Sequence, residues 1–200
     1  MCAAKRFLHV RTLLLASNSP RRRKLLADAG FAFKSVAPLI AEKFDTDLTV
    51  RELTIWNAFQ KGISVARSNP AKVVLSADTL VSLDHQTFGK PRDRTEALTM
   101  LTRLNGRVHE VCSAVFICRL ADARSTRFCE VSRVHFRRLS PAAIHDYLDR
   151  INPIDKAGAY AAQEFASRII RKIEGSYSNV VGLPMEKTMA ALAEFGIKPK

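Results

Sequence analysis

Apolar and polar positions along this 200-residue chain predict strands and helices in alternation. Leu13-Leu14-Leu15-Ala16 is a short apolar run, the mark of a buried strand over 12–16. Ser19-Pro20 then supplies an N-cap hydroxyl and a proline at the first helical position, and Gly30 ends that helix. A second strand is expected over 31–36. Thr49-Val50-Arg51-Glu52 is a capping box opening a helix with apolar residues at Leu53, Trp56, Ala58 and Ile63, stopped near Asn69-Pro70. The run 72–77 reads as a buried strand with Asp78 at its end, and 79–83 continues extended. Asp93-Arg94-Thr95-Glu96 repeats the capping-box pattern for a third helix, closed by Asn105-Gly106. Stretches 108–120 and 126–136, with a turn around Asp122, predict an antiparallel hairpin. Ser140-Pro141 caps a helix to Arg150, and a last helix over 184–195 stops at Gly196. Between 158 and 182 the pattern is less regular, with one apolar segment over 165–173.

Strand–helix units followed by a long hairpin predict an α/β fold with a mixed, twisted sheet and flanking helices. With no repeat and no low-complexity linker, the expectation is a single domain over 12–197 behind a basic extension at 1–11. At 47% hydrophobic the chain can bury a core, whereas its net charge of +13 is unusual. That surplus favours an anionic partner: nucleic acid, an acidic membrane surface or a phosphate-rich small molecule. The four cysteines, Cys2, Cys112, Cys118 and Cys129, have neither CxxC spacing nor a histidine cluster, which argues against zinc and for a reducing compartment. The run 13–16 is too short for a signal-peptide core, and nothing approaches the roughly 20 apolar residues of a membrane span. A soluble cytoplasmic protein is expected.

The first turn of the first helix carries Arg21, Arg22, Arg23 and Lys24, where the helix dipole disfavours cations. An anion at that position resolves the conflict: backbone N–H groups, guanidinium forks and the Ser17 and Ser19 hydroxyls would converge on phosphate oxygens. Asp78, following a buried strand, is placed to hold Mg2+ or to orient an attacking water. Glu42 is a second carboxylate for the same metal. Lys61, mid-helix, and Lys90, in Gly89-Lys90-Pro91, offer point charges to a triphosphate. His109 reads as structural. There is no GxxxxGK[ST] phosphate loop and no legible Ser–His–Asp arrangement.

Leu15-Ala16-Ser17-Asn18-Ser19-Pro20-Arg21-Arg22, Ser76-Ala77-Asp78-Thr79, Gly89-Lys90-Pro91 and Asn105-Gly106-Arg107-Val108-His109-Glu110-Val111 stand in one order. Asp155-Lys156-Ala157-Gly158-Ala159-Tyr160 and Gly175-Ser176-Tyr177-Ser178-Asn179-Val180-Val181-Gly182-Leu183-Pro184 complete the series. Together they resemble the Maf (septum formation) family over nearly the whole chain. The resemblance implies an inosine triphosphatase-like (Maf/Ham-type) fold with two lobes around a cleft. It also implies a homodimer and metal-dependent (Mg2+ or Mn2+) hydrolysis of a nucleoside triphosphate to monophosphate and pyrophosphate. By motif, Asp78 matches the catalytic acid, and Arg21, Thr79 and Gln163 match positions tied to substrate selection. Arg22, Lys61 and Lys90 match the phosphate grip, and Glu42 matches an acid of the same cleft. The Gln163-bearing form resembles the branch that prefers dTTP and UTP. The chain departs from the family at Ala41, where an aspartate is usual beside Glu42, and at Ala159 and Glu164, where glycines are usual. Hydrolysis of 7-methyl-GTP is the near alternative. Nucleic-acid binding or a cell-division regulatory role is the distant one, disfavoured because the basic residues are scattered over several elements.

Overall fold

The four side-chain-capped helix starts read from the sequence are all present in a computed structural model, which describes residues 12–40 and 47–200. The extension 1–11 and Glu42 lie outside the described residues. Ser19 accepts from the Arg22 backbone N–H at 3.4 Å to start α1 (Pro20–Asp28). Thr49 and Glu52 form both halves of the capping box that starts α2 (Val50–Arg67). Ser140 caps α4 (Pro141–Arg150). At α3 (Arg94–Leu104) only half of the expected box forms. Asp93 accepts from Glu96 N–H at 2.8 Å, but the Glu96 carboxylate takes the Arg92 backbone N–H and guanidinium instead. The guanidinium is the stronger partner, because a charge-assisted hydrogen bond outweighs a neutral one.

Among the described residues the strands are β1 (Leu13–Ala16), β2 (Phe33–Val36), β3 (Val73–Leu83), β4 (Gln86–Phe88), β5 (Val108–Arg119), β6 (Arg124–Phe136) and β7 (Ile170–Glu174). They form one mixed sheet in the order β2-β1-β3-β5-β6-β7, with β4 also on β3. β1 runs parallel to β2 and β3, and the remaining pairs are antiparallel. Two short helices, α5 (Ala166–Ile169) and α6 (Tyr177–Val181), and α7 (Met185–Glu194) complete the chain.

Asp78 does not end a strand, contrary to expectation. It sits in the middle of β3, because β5 pairs with that strand continuously from Val74 to Ser82. What ends near Asp78 is the neighbour on the other edge. β1 pairs with β3 only up to Ala16↔Ser76, since Ser17 N–H turns back to Leu15 O at 3.0 Å, a tight strand-end turn. β4 takes that edge over only from Val81↔Phe88. Residues 77–80 therefore lie in a window between the two.

The core divides at the same point. Leu13, Leu15, Leu75, Val115 and Ile117 pack against Leu192 and Phe195, while Leu14, Val74 and Phe116 pack under Ala58 and Val65 of α2. Beyond the window, Val81, Leu83 and Val111 join residues of α3 and α4 in a separate cluster. Long strands thus carry two lobes of packing, with the break at Asp78 and Thr79. Trp56, read as part of the apolar face of α2, is 44% exposed, whereas Leu53 and Ala58 are buried.

Candidate functional site

The window in β3 opens on a cleft of about 340 Å³. Its first wall is the strand-to-helix turn 17–22. Ser17 Oγ accepts the Ser19 N–H at 3.1 Å and lies 3.4 Å from an Arg22 terminal nitrogen. The Arg22 guanidinium is buried, donating to Gly182 O at 2.8 Å and to Thr79 Oγ1 at 2.9 Å. Thr79 is the register partner of Ser113 on β5, and their hydroxyls meet at 2.9 Å. Ser113 Oγ in turn donates to Asn179 O, and Asn179 Nδ2 to Val111 O and Ser132 Oγ. A chain of hydrogen bonds therefore fixes Arg22 from β5 and α6. Arg23 and Lys24 turn away: Arg23 bonds Asn18 O, and Lys24 pairs with Asp28 on the exposed face of α1.

On the other face of β3, Asp78 meets α2. Lys61 Nζ donates to Asp78 Oδ1 at 2.6 Å, and Asn57 Nδ2 to Asp78 Oδ2 at 3.3 Å. All three are buried. The spacing of Asn57 and Lys61, four residues apart, puts both on one helix face. A buried charge pair costs desolvation that only good geometry and further hydrogen bonds offset. Its presence at a cleft wall, with a third polar partner, fits a site shaped for chemistry more than for stability.

The third wall is the loop before and through the 3-10 turn Ala157–Ala159. Arg21 reaches it, donating to Asp155 Oδ2 at 2.7 Å and to Asp155 O at 2.9 Å. Lys156 Nζ bonds Asp155 Oδ1 and Asn152 O, both at 2.7 Å. Burial acts to raise the Asp155 carboxyl, yet the Lys156 hydrogen bond and the charges of Arg21 and Lys156 hold it below the ordinary carboxylate range. Lys90 lines the cleft as an exposed lysine, and its neighbour Gly89 accepts the Gly158 N–H at 3.0 Å.

The structure thus brings together Ser17, Ser19, Arg21, Arg22, Lys61, Asp78, Thr79 and Lys90. It does not bring in Gln163, which is exposed and not among the lining residues, although Ala162 beside it is. Asn57, Asp155 and Lys156 were missed as site residues. The four-residue spacing of Asn57 from Lys61 is the signal that could have found the first, and the other two lie in Asp155-Lys156-Ala157-Gly158-Ala159-Tyr160. His109 is buried against Phe136 and Tyr160, its Nε2 2.9 Å from the Tyr160 hydroxyl. Burial, with a smaller push from His135, lowers its pKa to about 3, so it stays neutral, as the structural reading expects.

Among the described lining residues there are five cations (Arg21, Arg22, Lys61, Lys90, Lys156) and two carboxylates (Asp78, Asp155). That balance suits a polyanion. No group of three or more His, Cys, Asp or Glu suited to a metal occurs among the described residues. One wall carboxylate does suit Mg2+, which takes one or two carboxylates, waters and substrate phosphates. No helix among the described residues is long and apolar enough to cross a membrane.

A family model for Maf-like proteins matches residues 12–195. A dTTP/UTP pyrophosphatase from Bacillus velezensis is 44% identical over 186 residues, covering 93% of this chain and 97% of the relative. One from Bacillus pumilus is 40% identical over 187 residues, covering 94% and 98%. The solved Ham1 protein of Staphylococcus aureus overlaps 63% of this chain and 72% of its own at 12% identity and a TM-score of 0.39, too slight a likeness to carry an argument.

Proposed function

The chain belongs to the Maf-like family, and on that footing we propose that it hydrolyses dTTP or UTP to the nucleoside monophosphate and pyrophosphate. The observation that carries the reaction class is the facing arrangement of the cleft: a buried Asp78–Lys61 pair on one wall, a helix start bearing Arg21 and Arg22 on the other. Backbone N–H groups at that helix start, with Arg21, Arg22, Lys61 and Lys90, neutralise charge on the β- and γ-phosphates, where leaving-group charge develops. Ser17 and Ser19 add donors on the same wall. Water attacks the α-phosphorus, and Asp78 takes its proton. Oδ2 is the atom for this, because Lys61 engages Oδ1 at 2.6 Å while Asn57 holds Oδ2 only at 3.3 Å.

A divalent cation, Mg2+ or Mn2+, would be held by Asp78 with Glu42, and when bound supplies positive charge to the phosphate oxygens. Thr79 and Gln163 belong to substrate selection in this reading. Because Gln163 stands outside the cleft lining, 7-methyl-GTP remains the rival base. A cytoplasmic homodimer belongs to the same proposal, and light scattering of the purified protein tests the dimer.

The deciding experiment is a panel of nucleoside triphosphates, including 7-methyl-GTP, with Mg2+ or Mn2+, separating pyrophosphate from orthophosphate. Pyrophosphate from dTTP and UTP is expected; orthophosphate as the first product would overturn attack at the α-phosphorus. Asp78→Asn should remain folded and lose turnover. An active, folded Asp78→Asn enzyme sinks the assignment of that residue.

A further inference from the structure

A carboxylate is an unexpected lining for a triphosphate cleft, since it repels the ligand. Asp155 is nevertheless there, and its acceptors are fully directed. Oδ2 and the backbone carbonyl take the two terminal nitrogens of Arg21, at 2.7 and 2.9 Å, while Oδ1 takes Lys156 at 2.7 Å. The Asp155 segment is itself fixed. Lys156 N–H bonds Pro153 O, Lys156 Nζ bonds Asn152 O, and Gly158 N–H bonds Gly89 O beside Lys90. Arg21 comes to this fixed point from α1, 134 residues away in sequence.

We propose that Asp155 is a positioning residue that holds Arg21 and Lys156 in place across the cleft before a triphosphate binds. The proposal rests on the nucleotide reading above and deepens it, adding Lys156 to the phosphate-facing cations. A guanidinium has five N–H donors, and Asp155 uses one edge of the fork, so Arg21 can keep this partner and still donate to a phosphate. Arginine and lysine are among the side chains whose immobilisation costs most on binding. Ordering each in advance is worth roughly two- to tenfold in affinity, so the pair together gives about 4- to 100-fold. That gain exceeds what one partly solvated like charge takes away, because both cations neutralise it on the spot.

The test compares wild type, Asp155→Asn and Asp155→Glu for pyrophosphate release from dTTP and for calorimetric binding of a non-hydrolysable dTTP analogue. Asp155→Asn is expected to raise KM and Kd by about 4- to 100-fold with kcat changed little, and Asp155→Glu to recover part of the loss. In an Arg21→Ala/Lys156→Ala background the same Asp155→Asn change should leave binding unchanged or tighten it, since only the repulsive charge is then removed. Thermal unfolding of each variant separates these effects from loss of fold. Unchanged or tighter binding by Asp155→Asn in the otherwise native enzyme overturns the proposal. So does an equal loss in the doubly substituted background, which would mean that Asp155 acts by another route. A wild-type protein that binds the analogue but releases no pyrophosphate defeats the catalytic reading while leaving the binding comparison intact; one that binds no analogue defeats both.

Discussion

Gly62 follows Lys61 on α2, and it is the residue that lets this helix lie close enough to β3 for Lys61 to reach Asp78. A Cβ added there would stand 2.5 Å from Phe116 Cδ1 and 2.5 Å from Ser76 Oγ. Neither neighbour can yield easily. Ser76 Oγ donates to Ala58 O at 2.7 Å, and Phe116 is buried edge-on against Phe59. Non-bonded carbons settle at roughly 3.5–4.0 Å, so Gly62→Ala obliges α2 to withdraw by about 1 Å. Overpacking of this kind costs about 1–3 kcal/mol, and the better helix propensity of alanine offsets about 1 kcal/mol of it. The net loss of stability is therefore modest, about 0–2 kcal/mol. Activity should suffer more. The Lys61–Asp78 contact, 2.6 Å long, lies beside the displaced residue, and a 1 Å error at a reacting centre can cost on the order of 100-fold in rate. Urea denaturation measures the first effect and kcat/KM for pyrophosphate release the second. Full activity in a variant of unchanged stability would refute the argument that close approach at Gly62 sets the Lys61–Asp78 geometry.

His109 predicts a pH dependence of stability. Its folded pKa of about 3 lies below the unfolded value of about 6.5, so its contribution is present above pH 6.5 and is lost as pH falls from there towards 3. At pH 5 the loss is about 2 kcal/mol, and His109→Gln should flatten that slope between pH 7.5 and 5 in urea denaturation; an unaltered slope rejects the assignment. Thr79→Val removes the hydroxyl joining Arg22 to Ser113 and should destabilise by about 1–3 kcal/mol while weakening nucleotide binding, with stability held within a few tenths counting against it. Thr49→Ala removes the hydroxyl half of the α2 capping box, leaving the Thr49 backbone N–H on Glu52, and should cost about 0.5–2 kcal/mol by the same denaturation assay, with no change there if the cap is idle.

Helix starts were legible because a cap is local chemistry: Ser19, Thr49 and Ser140 each satisfy an N–H three residues further on, and no tertiary partner decides it. Asp93 shows the limit, since Glu96 found a guanidinium better placed than the expected N–H. The segment 158–182 resisted reading because its backbone is set by left-handed residues at Gly158, Ala159 and Phe165, which carry no periodicity, and because β7 is a short strand joined to β6 through a register shift at His135/Phe136. Of the site, the residue types were legible and their grouping was not. Lys61 and Asp78 are 17 residues apart, and Arg21 and Asp155 are 134 apart. Nothing in local pattern joins either pair. Asp78, Lys61 and Lys90 stood out by their own positions and the motif resemblance matched them to one cleft, but neither assigned a role to Asp155 or Lys156, which the fold brings to the same cleft.

Asp78 and Thr79 are neighbours in one strand, so their side chains leave on opposite faces of the sheet. Asp78 meets Lys61 and Asn57 from α2, and Thr79 meets Arg22, Ser113 and Gly182. In the interior of a sheet, two such residues would serve two separate environments. Here both line a single cleft, because β1 stops at Ala16 and β4 begins only opposite Val81, leaving residues 77–80 at an open edge around which both faces can reach. The turn at Ser17 is thus the structural cause of the site. It ends the parallel pairing two residues short of Asp78, and three residues later it starts the helix whose N–H groups and arginines face the gap. A β1 longer by four residues would pair with 77–80, close the window and separate the carboxylate on one face from the arginine on the other.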